Sequence, residues 1–145
     1  MAFKSLCLLL CLALFATEAH GYKDYVAYKR AVNFFQAWQQ CRLFGGHLAS
    51  IESAEENTRA EAAIMAAGDF SKDWAIGGTD LGSEGNFVWI GLNKKTTYTN
   101  FYKGEPNNNN GVENCLVMGV ASSRQWNDVA CDSVAGGFVC AFVRQ

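Results

Sequence analysis

Oxygen-bearing side chains cluster at three places in the second half of this 145-residue chain. Calcium in proteins takes about six to eight oxygen ligands from carboxylates, amide carbonyls and backbone carbonyls. Glu-Pro-Asn, an isolated glutamate just before a cysteine, and Trp-Asn-Asp together supply side chains of this kind. They predict one calcium site with five side-chain ligands: Glu105, Asn107, Glu113, Asn127 and Asp128.

The same side chains also suit a pair of adjacent hydroxyl groups. An X-Pro bond is the only ordinary peptide with real access to the cis form, and a cis Pro106 turns Glu105 and Asn107 to the same side. Each hydroxyl of a vicinal diol could give a lone pair to the metal, donate its proton to a glutamate and accept one from an asparagine. The pattern therefore predicts a metal site that also binds a diol.

Each cluster taken singly is more often a polar loop, or a core aromatic residue followed by a turn. Glu105 and Glu113 could also be the carboxylate pair of a glycosidase, but their amide neighbours suit metal binding better. His47 follows a Gly-Gly helix stop, and no Ser or Cys nucleophile has a visible base beside it. We therefore expect no catalytic residues and no enzyme activity.

The charge balance excludes several classes of partner. The chain has 12 Lys plus Arg against 14 Asp plus Glu, with no basic stripe and no acidic tail. A nucleic-acid or membrane-surface binder would show a clustered positive charge. We therefore expect no nucleic-acid partner, and the chain after its first residues contains no apolar run long enough for a membrane span.

The first 21 residues have the pattern of a secretory signal peptide. Lys4 precedes an apolar run from Leu6 to Ala16, and Ala19 and Gly21 are small residues at the positions that a signal peptidase needs. A membrane anchor would need about 18 or more apolar residues. We expect cleavage before Tyr22, a secreted product, and one domain over residues 22–145.

Cleavage would leave four cysteines, which in an oxidising compartment predict two disulfides. Four cysteines allow three pairings, and their spacing does not choose among them. Closing a loop of about 100 residues is worth about 4.7 kcal/mol, and closing one of about 15 residues about 3 kcal/mol. Pairing Cys41 with Cys140 and Cys115 with Cys131 gives both loop sizes. A structural zinc cluster is excluded, because there is no Cys-x-x-Cys spacing.

The local pattern predicts an α+β fold, with helices first and a sheet later. A short strand opens the domain, and one helix begins after Asn33 and stops at Gly45. A second begins at the capping box Ser53 to Glu56 and ends at Gly68. Four apolar segments separated by loops predict strands: Trp74 to Ile76, Phe87 to Leu92, Leu116 to Met118 and Gly137 to Phe142.

From Tyr25 to Phe142, the chain resembles a C-type lectin domain. Six motifs carry the resemblance and occur in the family's order: Ala37-Trp38-x-x-Cys41, the run Gly46 to Ile51, Trp89-Ile90-Gly91, Glu105-Pro106-Asn107, Trp126-Asn127-Asp128 and Phe138-Val139-Cys140. The resemblance implies two helices, irregular antiparallel sheets and a long calcium-binding loop. It also implies the disulfides Cys41–Cys140 and Cys115–Cys131.

The family's principal calcium site maps onto the five ligands named above, with the backbone carbonyl of Asp128 as a further ligand. In the family, Glu105, Asn107, Glu113 and Asn127 would also contact the sugar. Glu-Pro-Asn is similar to the mannose-type motif, which implies mannose, fucose or N-acetylglucosamine. Galactose-type members carry Gln-Pro-Asp instead, although a galactose-binding member with the mannose-type motif remains an alternative.

An auxiliary calcium site of many family members maps onto Asp80, Glu84, Asn108, Glu113 and Asn114. Two of these positions are usually aspartate in the family but are asparagine here. Amides retain oxygen ligands but remove two negative charges, which lowers affinity for a dication. The sequence therefore predicts one strong calcium ion and at most one weak one.

Together these features predict a secreted, calcium-dependent lectin that binds mannose-type sugars on glycans or microbial surfaces, as in innate immunity. The resemblance is to secreted single-domain lectins of insects. A related domain that binds a protein partner is the alternative. One monosaccharide site yields only millimolar affinity, about 4 kcal/mol, so useful binding to a surface favours a homo-oligomer.

Overall fold

The structure is a computed structural model that describes residues 21–145. The predicted signal peptide lies outside the described residues except for Gly21. The elements occur in the order β1 (Lys23–Tyr28), α1 (Phe34–Leu43), β2 (His47–Leu48), α2 (Ala54–Ala67), β3 (Trp74–Thr79), β4 (Val88–Trp89), β5 (Lys94–Lys95), β6 (Cys115–Met118), β7 (Trp126–Val129) and β8 (Gly137–Val143). Within residues 21–145, no helix is both long enough and apolar enough to cross a bilayer.

Both helices begin where the sequence predicts. The Asn33 side chain accepts from the Gln36 backbone N–H, and the Gln36 side chain accepts from that of Asn33, which completes a capping box at α1. Ser53 caps α2 by accepting from the backbone N–H of Glu56. The predicted second half of that box is wrong: the Glu56 carboxylate accepts instead from Glu52 N–H at 2.7 Å. It also pairs with the buried Lys23 ammonium, 3.0 Å away.

The strands form one connected mixed sheet rather than separate antiparallel sheets. Its main path runs β1-β8-β3-β4-β5, with β2 added to β8, β6 to β3 and β7 to β6. Most pairs are antiparallel, but β3 and β8 run parallel, with Trp74 opposite Gly137. The sequence did not predict β2, β5 or β7, because β2 and β5 have two residues each and β7 has polar residues at its two central positions.

Three tryptophans anchor the core beneath the loop that follows β5. Trp74, Trp89 and Trp126 are at most 1% exposed. The Trp126 ring meets Trp89 edge-on at a centroid distance of 5.5 Å, and its Nε1 donates to Asn57 Oδ1 on α2 at 3.0 Å. These contacts fix the start of β7, which carries the next two residues into the predicted site.

Both predicted disulfides are present. Cys41 on α1 bonds to Cys140 on β8 across 99 residues, which ties the first helix to the central sheet. Cys115 at the start of β6 bonds to Cys131 just after β7, 16 residues later. The second disulfide therefore closes the hairpin that carries the predicted ligands.

His47 gives the fold a pH dependence that can be measured. The ring is 6% exposed, and its Nε2 lies 2.8 Å from Ser50 Oγ. Burial, with the positive charges of Lys23 and Arg42, lowers the His47 pKa from 6.5 to about 4. The folded state therefore binds fewer protons than the unfolded state between these values. Through His47 alone, the free energy of unfolding of the protein should therefore fall by about 2 kcal/mol as the pH drops from 6.5 to 4.

The His47→Gln variant retains a polar side chain but does not titrate. Urea unfolding of wild type and variant at several pH values between 4 and 7 isolates the contribution of His47, because the carboxylates titrate in both proteins. We expect the difference in unfolding free energy between wild type and the His47→Gln variant to narrow steadily as the pH falls. A constant difference would show that His47 is not the group responsible.

Candidate functional site

Strand β7 carries two of the predicted ligands at consecutive positions. It pairs with β6 so that Asn127 lies opposite Val117 and Asp128 opposite Leu116. Side chains alternate along a strand, and here Asp128 is 1% exposed while Asn127 is half-buried. The backbone N–H of Asn114 donates to Val129 at 3.1 Å, which brings the segment before β6 to the same end of the hairpin.

The Glu-Pro-Asn turn reaches this hairpin from the long loop. The Glu105–Pro106 peptide is cis, the isomer to which an X-Pro bond has access. The Asn107 Nδ2 donates to Glu105 Oε1 at 3.1 Å, so that a donor and an acceptor lie side by side. The carboxylate of Asp128 accepts from the backbone N–H groups of Asn107 and Asn108, at 3.1 and 2.8 Å. The buried aspartate thus holds the turn against β7.

Glu113 joins the same network through the backbone of Asn109. This N–H donates to Glu113 Oε1 at 2.8 Å and to Asn107 Oδ1 at 3.1 Å. Hydrogen bonds therefore connect Glu105, Asn107, Glu113 and Asp128, and Asn127 is the residue next to Asp128 on β7. Residues separated by up to 23 positions in the chain become neighbours.

The asparagine run between the clusters has a structural role that its composition conceals. Asn108 and Asn110 have left-handed backbone angles, with φ of 44° and 56°. Asparagine adopts this region more readily than most residues. In that conformation, the backbone N–H groups of Asn108 and Asn109 face Asp128 and Glu113. Sequence reasoning missed this contribution of Asn109; the concentration of residues that tolerate a left-handed backbone was the available signal.

Electrostatics at the site favour a cation. Burial, followed by the hydrogen bond and negative charge of Asp128 and the charge of Glu113, raises the pKa of Glu105. Within the described residues, no group of three His, Cys, Asp or Glu side chains forms a metal cluster by itself. The predicted set adds the amide oxygens of Asn107 and Asn127 to its three carboxylates.

Two oxygens of the predicted set are buried without a hydrogen-bond partner: Glu105 Oε2 and Asn127 Oδ1. A buried acceptor without a partner is unfavourable by about 1–3 kcal/mol, and more when it is charged. Both atoms are hard oxygen donors of the kind that calcium prefers. The residues present therefore fit a calcium ion, which would supply a positive centre able to bind hydroxyl oxygens.

Apart from Glu113, which the principal site shares, four residues map to the auxiliary calcium site, and they also lie near one another. Asp80 is 2% exposed and Glu84 is exposed, both in the loop that follows β3. Desolvation, followed by the negative charge of Asp80, raises the pKa of Glu84. Asn114 contacts both carboxylates, whereas the Asn108 Oδ1 accepts from the Glu113 N–H at 3.1 Å. In these contacts the amides of Asn114 and Asn108 bond to protein groups, whereas in a metal-ligand set their oxygens would bind the ion.

Comparison with known proteins shows which family this chain belongs to. A family model described as the Lectin C-type domain matches residues 30–142. The chain belongs to the C-type lectin domain family. Salivary C-type lectin 1 of Aedes albopictus is 34% identical over 116 residues, covering 74% of this chain and 74% of that protein. These lectin domains bind carbohydrates and are not enzymes, so this C-type lectin domain is a carbohydrate-recognition domain without catalytic activity.

Solved lectin domains have the same fold. The carbohydrate-recognition domain of cow CD23, solved in the presence of a GlcNAc2Man3 oligosaccharide, superposes with a TM-score of 0.73 at 34% identity, covering 85% of this chain and 89% of that chain. A calcium-independent type II antifreeze protein superposes with a TM-score of 0.72 at 25% identity, covering 86% and 88%. The same fold therefore also occurs in a protein that does not require calcium.

Proposed function

We propose that this lectin domain binds one calcium ion through Glu105, Asn107, Glu113, Asn127 and Asp128, and that this ion holds the sugar. The observation that carries the proposal is the pair of buried oxygens on Glu105 and Asn127 that accept no hydrogen bond. Three carboxylates in the same network add the negative charge that a dication requires. The calcium-independent relative shows that the fold alone does not supply this argument.

We further propose that the sugar is of the mannose type. In the cis turn, the Glu105 carboxylate offers an acceptor beside the amide donor of Asn107. One hydroxyl of a diol can donate to the former and accept from the latter while both hydroxyls bind the ion. The cow CD23 domain, 34% identical, was solved with an oligosaccharide of N-acetylglucosamine and mannose, which supports the choice over galactose.

A glycan array with and without calcium tests this proposal. We expect terminal mannose, fucose and N-acetylglucosamine to bind in calcium, galactose to bind at least about 10-fold more weakly, and all binding to disappear in EDTA. Binding to galactose alone would support the alternative sugar class. Binding that persists in EDTA, or binding to no glycan, would contradict the proposal and favour a module for a protein partner.

A paired substitution tests the polarity of the diol contacts. Glu105→Gln introduces a donor in place of an acceptor, and Asn107→Asp introduces an acceptor in place of a donor, while each position keeps an oxygen ligand. We expect at least a 10-fold loss of mannose affinity with calcium binding retained. The control is Asn110→Gly, in the same loop but outside the hydrogen bonds described above, because glycine adopts the left-handed backbone of this position without strain. Unchanged mannose affinity in the paired variant would contradict the proposed contacts.

We propose that the domain is secreted and acts on glycans outside the cell, including those of microbial surfaces. The signal-peptide pattern of residues 1–21 and the two disulfides support an oxidising destination. The salivary relative has a name in keeping with secretion. Weak binding at a single site supports self-association, which remains a prediction, because several sites on one assembly raise the avidity for a surface.

A further inference from the structure

The loop after β3 and the segment before β6 are joined by the side chain of Asn114. One end of the Asn114 side-chain amide lies 3.0 Å from Asp80 Oδ1 and 3.3 Å from Glu84 Oε2. We assign the nitrogen to this end, because an oxygen there would face only acceptors, whereas the nitrogen donates to both carboxylates. An amide nitrogen carries two hydrogens, so it can serve one carboxylate with each. In this orientation, the amide presents a donor, not a metal ligand, to the two acidic residues.

Backbone contacts fix Asn114 in this position. Its carbonyl accepts from Thr79 Oγ1 at 2.6 Å and from Asp80 N–H at 3.2 Å. The second oxygen of Asp80 accepts from Gly85 N–H at 2.9 Å, so the buried carboxylate already has a partner on each side. The loop after β3 is therefore held to Asn114 through both main-chain and side-chain hydrogen bonds.

Asn108 is also committed to the protein. Its Oδ1 accepts from the backbone N–H of Glu113, and its own N–H donates to Asp128. Thus the Asn114 amide, with its nitrogen turned to the carboxylates, offers them no oxygen, and one lone pair of Asn108 Oδ1 is already used within the protein. Hydrogen bonds to an ionised carboxylate are roughly twice as strong as neutral ones, which makes the Asn114 bridge costly to break.

We propose that the Asn114 amide takes the place of an auxiliary cation, bridging Asp80 and Glu84, so that the domain binds a single calcium ion. Asn114 is then a positioning residue: it fixes the segment that carries the neighbouring Glu113. The statement that one ion remains rests on the proposed function. The bridge itself does not, because it joins protein groups only.

Three variants test the bridge. Asn114→Ala removes the donor, and Asn114→Asp replaces it with a third carboxylate. Asn110→Asp is the matched control, because it adds the same charge to the same loop at an exposed residue outside the bridge. Thermal melting in EDTA measures the bridge without any metal, and equilibrium dialysis against calcium counts the ions bound per chain.

In EDTA, we expect both Asn114 variants to melt at least about 5 °C below the Asn110→Asp control. Wild type, the control and Asn114→Ala should bind one calcium ion per chain. Asn114→Asp should bind two, and saturating calcium should restore much of its melting temperature, because the ion then neutralises the added carboxylate.

Two results would overturn the inference. One is a melting temperature in EDTA that is the same for the Asn114 variants as for the Asn110→Asp control, and the other is a wild-type chain that binds two calcium ions. Failure of the proposed function looks different. A wild-type chain that binds no calcium would refute the principal site, while the melting comparison in EDTA would still decide whether Asn114 bridges the two carboxylates.

Discussion

Replacing Asp128 with asparagine is expected to lower calcium affinity by at least about 100-fold and to abolish retention on mannan. Asp128 is 1% exposed, and its two carboxylate oxygens accept from the N–H groups of Asn107 and Asn108. An amide removes one negative charge from the site and turns a donor toward a backbone N–H. The substitution therefore weakens calcium binding directly, and it also loosens the turn that carries Glu105 and Asn107, two other proposed contacts of the ion.

Isothermal titration with calcium measures this loss, and a mannan column measures its consequence for sugar binding. The matched control is Asp132→Asn, the same chemical change at an exposed residue in the loop after β7. At a calcium concentration of 100 times Kd, binding adds about 2.7 kcal/mol to the stability of wild type and control. An Asp128→Asn variant with affinity within about threefold of the control would contradict the assigned ligand set.

Removing the Cys41–Cys140 disulfide by alanine substitution is expected to reduce the free energy of unfolding by about 4–5 kcal/mol. The bond closes a loop with a sequence separation of 99, so its loss restores much conformational freedom to the unfolded chain. Removing Cys115–Cys131, with a separation of 16, should reduce it by about 3 kcal/mol. Domains of this size are stable by about 5–15 kcal/mol, so the first variant is at risk of unfolding.

Calcium affinity should show the opposite order. Glu113 lies two residues before Cys115, and Asp128 lies three residues before Cys131, whereas the Cys41–Cys140 bond joins α1 to β8. Denaturation in EDTA gives the stability of the two alanine pairs, and calcium titration under folding conditions gives their affinities. If the variant without Cys41–Cys140 loses more stability and also more calcium affinity than the variant without Cys115–Cys131, the Cys115–Cys131 disulfide does not organise the site.

The amino-acid sequence by itself determined the features whose causes are local. The starts of α1 and α2 follow from Asn33 and Ser53, because a capping side chain and its N–H partner lie within three residues. The sequence also marks Pro106 as the position at which a cis peptide is readily accessible, although proline permits this isomer without dictating it. The six motifs also identified the family, and with it the disulfide pairing, which cysteine spacing alone left open.

Only the tertiary structure decided what depends on partners distant in the chain. Strands β2 and β7 are short or polar, and they exist because β8 and β6 offer edges for pairing. The parallel β3–β8 pairing joins strands separated by almost half the chain, so no local pattern encodes it. The Glu56 side chain does not complete the capping box of α2, because the Lys23 ammonium, 33 residues away in the chain, competes for its carboxylate.

The same limit applied to the site. Sequence reasoning treated Asn108 and Asn114 as weak metal ligands through their oxygens, since an amide carries both an acceptor and a donor. Which atom faces the neighbouring charge depends on the fold, which places Asp80 and Glu84 beside Asn114 from 30 or more residues away. Residue type thus supplied the available chemistry, and three-dimensional proximity selected which part of it is used.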